Sequence, residues 1–361
     1  LPTGLAPFCP HLYASTTAAA IPGSSAGLKS MLERFGSKNW SELVEPAVKA
    51  ARDGHTVTSW EYALLYGGAG GRSSTLAGRT YFPSGRQHYV PNGFQVPVGE
   101  LWRRPDLAKT LEASATMGPD YFISGDWAKR LVEEANSLGW MITLDDVAGY
   151  EPIWVEPTKI RYKEDEIIGI PPPQRGGFYT GFLFGVMEHF NLDHYTESAE
   201  ALALMAWVLR RAHYDRNLIH DPDYYETPID VLLCDSYHEV IAELWKRSRP
   251  RKALTPYLEL THSKATQRGS LPSTGHVPHD SCELSIVDNE GNWVQMMETG
   301  GGGIPGVVVD GVPGSGIGWE RYALVEPGGR TQHAIANTIV VRDGAPWMCL
   351  GSPGDCIFTV P

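Results

Sequence analysis

Ser281 and Cys282 are adjacent, and both carry an atom that can attack a carbonyl carbon. A serine hydroxyl is a weak nucleophile without a neighbouring base, whereas a thiol is intrinsically the stronger one. A further hydroxyl, on Thr299, ends the next apolar run and can orient only one of the two. Cys282 to Val287 reads as a strand, Asp288 to Asn292 as a polar turn with Gly291, and Trp293 to Thr299 as a second strand. The local expectation is therefore a β-hairpin. With a five-residue loop, Val287 lies opposite Trp293, Ser285 opposite Gln295 and Ser281 opposite Thr299. A loop one residue shorter swaps the faces and puts Cys282 there instead.

Composition removes several other chemistries. The five cysteines are scattered, odd in number and without a C-x-x-C pair, which fits neither a disulfide framework nor a structural zinc site. The 12 histidines show no H-E-x-x-H or other close ligand spacing, so no metal is expected. Gly300 to Gly306 formally contains G-x-G-x-x-G, but Pro305 and the run Val307 to Gly311 follow where a helix is needed. That rejects a dinucleotide site, and no cofactor is expected. A net charge of -12 argues against nucleic acid, and the short basic run from Lys246 to Lys252 reads as a solvated helix end. No apolar run approaches the ~20 residues that span a bilayer. No signal peptide stands at Leu1; the compartment is left open, with a lean to cytoplasmic.

The elements that must position the hairpin alternate between helix and strand, an α+β chain. Pro22-Gly23 turns into a helix through Phe35 with Ser24 as its N-cap, and Trp40 to Gly54 forms the next, with Pro46 in its first turn. Gly67 to Pro97 reads as a long exposed loop. Helices follow from Pro105 to Gly118 and from Ser124 to Gly139, the latter with Trp127, Leu131 and Ala135 on one side. Thr143 to Tyr150 has capping-box spacing. Ile153 to Ile170 forms two strands around Lys163-Glu164-Asp165, and Gly176-Gly177 opens an apolar helix ending near Phe190. Thr196 caps a helix through Arg216, with Asp215-Arg216 a buried ion pair or a helix cap. Cys234 to Ser248 is one more helix. Lys264 to Asp280 is loose and polar. A last hairpin, Thr338 to Arg342 and Trp347 to Leu350, turns at Asp343-Gly344 and leads into Gly351-Ser352-Pro353-Gly354-Asp355.

Several of these stretches resemble one family. Leu284-Ser285-Ile286-Val287-Asp288 with Gly291-Asn292 is similar to the S-V-V-D-x-x-G-N stretch that starts the small subunit of gamma-glutamyltransferases, which are N-terminal-nucleophile hydrolases. Ala20 to Leu28, Trp40 to Gly54, Pro105 to Pro152, Pro171 to Gly177 and Arg211 to Tyr224 resemble further family segments in the same order. The resemblance covers nearly the whole chain, which is expected to be shortened at both ends relative to the family.

The resemblance implies a four-layer αββα sandwich, with residues 1–280 as a large-subunit-like region and 281–361 as a small-subunit-like one. It implies self-cleavage between Asp280 and Ser281, which makes Ser281 an N-terminal nucleophile whose own α-amino group serves as base, with Thr299 orienting its hydroxyl. Gly351 to Asp355 takes the place of the family's G-S-P-G-G oxyanion loop, so Gly354 and Asp355 are the oxyanion positions, the second with aspartate for glycine. The substrate-gripping positions fall at Thr3, Gly301, His333 and Ala334, none of which keeps the family's residue. Losing a bidentate arginine removes the charge-assisted contacts on which carboxylate recognition rests. The expected activity is thus an autoprocessing amidohydrolase acting on a small amide or acyl substrate that is not a typical gamma-glutamyl compound. The alternatives are a true gamma-glutamyltransferase or glutathione hydrolase, and an uncleaved homologue that binds a ligand or partner. The expected partners are a small-molecule amide and the chain's own two fragments as a heterodimer, with further dimerisation of that pair.

Overall fold

The computed structural model describes residues 21–66, 75–192, 199–248, 281–299, 307–314, 328–330 and 335–351. Calls on Thr3, Asp280, Gly301, His333, Ala334, Gly354 and Asp355 lie outside the described residues. The chain divides into two compact units, Leu1–Trp154 with Thr299–Tyr322, and Val155–Glu298 with Ala323–Pro361.

In the first unit the helices are α1 (Ser24–Phe35), α2 (Trp40–Asp53), α3 (Pro105–Met117), α4 (Asp126–Ser137) and the short α5 (Leu144–Ala148). The apolar stripe of α4 is buried at Trp127, Leu131 and Ala135, with Trp140, Ile142, Val307 and Val309 around it. Trp127 also donates its indole N–H to the Val309 carbonyl at 3.1 Å, so a side chain of this size is both packed and satisfied. Thr143 and Asp146 complete the capping box of α5.

Three expectations fail here. Gly23, not Ser24, is the N-cap of α1, and no side chain caps it. Pro46 lies inside α2 because the helix already begins at Trp40; it forfeits one backbone bond while Val48 and Ala51 stay buried. The stretch expected as an exposed loop holds two short helices, Thr75–Thr80 and Pro83–Tyr89. Tyr89 is buried there with Val57, Trp102 and Val308, although its apolar neighbours are too irregularly spaced to show a period.

The second unit contains β1 (Thr158–Tyr162), β2 (Asp165–Gly169), α6 (Gly176–Met187), α7 (Ala199–Asp215) and α8 (Asp235–Ser248). It continues with β3 (Ser281–Val287), β4 (Trp293–Thr299), β5 (Thr338–Arg342) and β6 (Ala345–Leu350); the last residue of β4 is counted with the first unit. One sheet has the order β6-β5-β2-β1, antiparallel throughout. Its pairing puts Ile160, Ile167, Val340 and Met348 on one face. Helix α6 covers that face, since its Gly181 and Gly185 approach Ile160. Behind α6, Phe178, Phe182, Leu204, Val208 and Ile241 form the buried core with α7 and α8. Cys349 and Ile339 lie on the opposite face, towards the β3–β4 hairpin, so helix, sheet and hairpin form three successive layers.

Asp215 is buried, but its ion-pair partner is Arg211 at 3.1 Å, with the Tyr237 hydroxyl donating to it at 2.8 Å. The expected partner, Arg216, is the next residue, whereas on a helix the side-chain neighbour of 215 is 211.

Candidate active site

Ser281 is the first residue of β3 and Thr299 the last of β4. The loop between the strands is fixed by one carboxylate. Asp288 Oδ1 accepts from the backbone N–H groups of Glu290 at 2.9 Å and Asn292 at 2.8 Å, and Oδ2 accepts from Asn292 Nδ2 at 2.8 Å. The Asn292 hydrogen bonds above all hold the Asp288 pKa below its ordinary value. Gly291 sits between them at φ 85. The spacing D-x-x-G-N is therefore a local cage whose geometry needs each of the three types.

That cage sets the register. The Asp288 N–H donates to the Asn292 carbonyl at 3.1 Å, which pairs these two residues. Counting outward, Val287 faces Trp293 and Ser285 faces Gln295, the five-residue register expected from the sequence. The side chains agree, since Gln295 Nε2 donates to Glu283 Oε1 at 2.8 Å and the Ser285 hydroxyl donates to the same oxygen. Glu283 and Ser285 of β3 thus share a polar face with Gln295 of β4. The even face carries Leu284 and Ile286, which are 48% and 57% exposed. Among the described residues no layer covers that side of the hairpin.

The polar face meets β6. The Cys349 thiol lies beside Ser285 and Glu283; burial raises its pKa, the Glu283 charge adds to this, and the Ser285 hydrogen bond opposes it. A Cβ on Gly351 would stand 2.2 Å from Gln295 Nε2 and 2.3 Å from Glu283 Cγ, so the chain passes close against these two side chains. Asn337 Nδ2 donates to the Gln295 carbonyl at 3.2 Å and ties the entry of β5 to the same hairpin. One step earlier, a Cβ on Gly176 would lie 1.7 Å from the Ile335 carbonyl oxygen, so the start of α6 presses on the segment that follows His333 and Ala334.

The strand beginning at Ser281, the residue that opens the Gly351-Ser352-Pro353-Gly354-Asp355 stretch, and the segment after His333-Ala334 are therefore held within one unit. The sequence reading passed over Glu283, Gln295 and Asn337. For the first two the signal was available: they are polar at period-two spacing with Ser285, against Leu284, Ile286 and Val294 on the other side. Among the described residues no group of His, Cys, Asp and Glu side chains could hold a metal ion, and no helix is long and apolar enough to cross a membrane.

Residues 10–358 match the family model for gamma-glutamyltranspeptidase. The glutathione hydrolase proenzyme of Pseudomonas aeruginosa is 30% identical over 371 residues, covering 95% of this chain and 61% of the relative. That of Escherichia coli is 28% identical over 364 residues, covering 94% of this chain and 59% of the relative. This chain thus spans about three fifths of the length of these relatives. Among solved structures, cephalosporin acylase from Bacillus halodurans superposes with a TM-score of 0.71 at 19% identity, covering 92% of this chain and 59% of that one.

Proposed function

This chain belongs to the gamma-glutamyltranspeptidase family and has the α+β fold of the N-terminal-nucleophile hydrolases, and from that premise we propose that it is an autoprocessing amidohydrolase. Cleavage between Asp280 and Ser281 frees the Ser281 α-amino group, which takes the hydroxyl proton as the oxygen attacks an amide carbonyl and passes it to the nitrogen as the C–N bond breaks and the amine leaves. Thr299, across the hairpin, orients that hydroxyl. Backbone N–H groups at Gly354 and Asp355 receive the developing oxyanion, and water then releases the acyl group from serine. No cofactor enters these steps. The observation that carries the reading is the meeting of the hairpin's polar face with Gly351, which brings the nucleophile strand to the start of the oxyanion stretch.

The substrate is a small amide other than a typical gamma-glutamyl compound, because Thr3, Gly301, His333 and Ala334 stand where the family grips the glutamyl group. The two fragments stay together as a heterodimer, and that pair can dimerise again. Intact-mass analysis of the purified protein tests the first step: a fragment beginning Ser-Cys-Glu-Leu is expected, and an uncut chain with full activity would sink the reading.

A second reading, glutathione hydrolysis, is favoured by the names of the two relatives at 28% and 30% identity. Turnover of glutathione separates the two readings. Efficiency below about 10⁴ M⁻¹s⁻¹, the low end of the usual enzyme range, is expected if the gripping positions have lost their function.

A further inference from the structure

The hairpin from Ser281 to Thr299 carries Glu283, Asp288, Glu290 and Glu298 and no lysine, arginine or histidine. Asp288 is engaged in its own loop. Glu283 is different, because it lies on the polar face two residues from Ser281. Successive same-face residues of a strand are about 6.6 Å apart. Both donors to the Glu283 carboxylate, Ser285 and Gln295, are neutral, so they fix its position without cancelling its charge. Among the described residues no cation pairs with it. The side chain remains partly exposed, so its field reaches the space over the face it shares with Ser281.

From this arrangement we infer that Glu283 is a specificity-determining residue that selects against acyl groups ending in a carboxylate and for acyl groups ending in an amine. The inference rests on the proposed role of Ser281, since only a substrate bound at that residue comes within range of the carboxylate. Two like charges about 7 Å apart, at an effective dielectric near 20, disfavour binding by about fifty-fold before salt screening. About tenfold is expected to survive in ordinary buffer. A neutral acyl chain of the same length lies between the two charged ones.

The test uses the p-nitroanilides of 6-aminohexanoic, hexanoic and adipic acids with the mature protein, its Ser281 end verified by mass. For the wild type, kcat/KM should fall in that order, with about tenfold between neighbours. Glu283→Gln keeps the shape and the hydrogen bonds but removes the charge. It should raise the adipoyl-to-hexanoyl ratio and lower the aminohexanoyl-to-hexanoyl ratio, each by about tenfold. A purely structural role would move all three substrates together, and that outcome overturns the inference, as does adipoyl turnover equal to hexanoyl in the wild type. If the variant fails to mature, the wild type in 0.5 M NaCl decides: the spread among the three should contract, and an unchanged spread refutes the electrostatic assignment. No acyl-enzyme with any donor, in protein carrying the Ser281 end, would instead overturn the proposed nucleophile, and the inference with it.

Discussion

Ser281 and Cys282 are neighbours on a strand, where successive residues point to opposite faces, and mutation can read which of them is the nucleophile. Ser281→Ala should abolish both self-cleavage and turnover, measured by gel and by amide hydrolysis, because one hydroxyl serves both. Cys282→Ala should keep both. Its stability cost should not exceed about 1 kcal/mol, since the neighbours on its face, Leu284 and Ile286, are open to solvent. A dead Cys282→Ala with a cleaving Ser281→Ala would mean the register is wrong by one. His238 makes a second prediction. It is buried, its Nε2 lies 3.1 Å from the Leu232 carbonyl, and burial, helped by His189 and opposed by the Leu232 hydrogen bond and Asp235, lowers its pKa to about 4. The folded state thus binds this proton less readily than the unfolded chain, whose histidine titrates near ~6.5. The stabilisation is complete above that value and is lost as pH falls from about 6.5 towards 4, amounting to roughly 3 kcal/mol. Urea midpoints across that range should fall for the wild type and fall less for His238→Gln. At this scale the sequence was readable where local counting decided, as with the hairpin loop. It misled where the next residue was taken for the partner, as at Asp215.

The β3–β4 hairpin depends on the Asp288 cage, which sets its register through hydrogen bonds within five residues. Asp288→Ala should slow maturation markedly, as seen in the ratio of cut to uncut chain over time, while the far-UV spectrum changes little. Gly176→Ala should act differently. The new Cβ would collide with the Ile335 carbonyl, so the start of α6 or the segment before β5 must move. A loss of at least about 2 kcal/mol in thermal or urea unfolding is expected, in the range of core overpacking. Most elements were legible because period and punctuation agreed, as in α4 with its buried stripe and in the β5–β6 hairpin turning at Asp343-Gly344. The stretch before Pro97 was not. Its helices are too short for a period to emerge, and Tyr89 and Val308, which pack together there, are far apart in sequence. The layering of helix, sheet and hairpin was likewise out of reach of local pattern, because β2 pairs with β5 from the other end of the chain.

For the molecule as a whole, each compact unit is assembled from both sides of the Asp280–Ser281 bond. In the first unit, Arg130 donates to Asp310 Oδ2 at 2.6 Å and Thr110 donates to the Asp310 carbonyl at 2.9 Å. In the second, β2 and β5 share a ladder, and Arg342 grips Asp165 through two hydrogen bonds of 2.6 and 2.7 Å. After cleavage the two fragments should therefore elute together on gel filtration and part only in denaturant that also erases the circular dichroism of the fold. Separation in native buffer would contradict this. The proposed division of the polypeptide and the division of the structure thus follow different lines, so that the cut would create two molecules without creating two folded bodies. The core of α6, α7 and α8 lies wholly before the proposed cut, whereas the first unit draws Val307, Val308 and Val309 from beyond it. Loss of the later fragment would thus leave Trp127 and Trp102 short of buried neighbours, while the helical core of the second unit would keep its own.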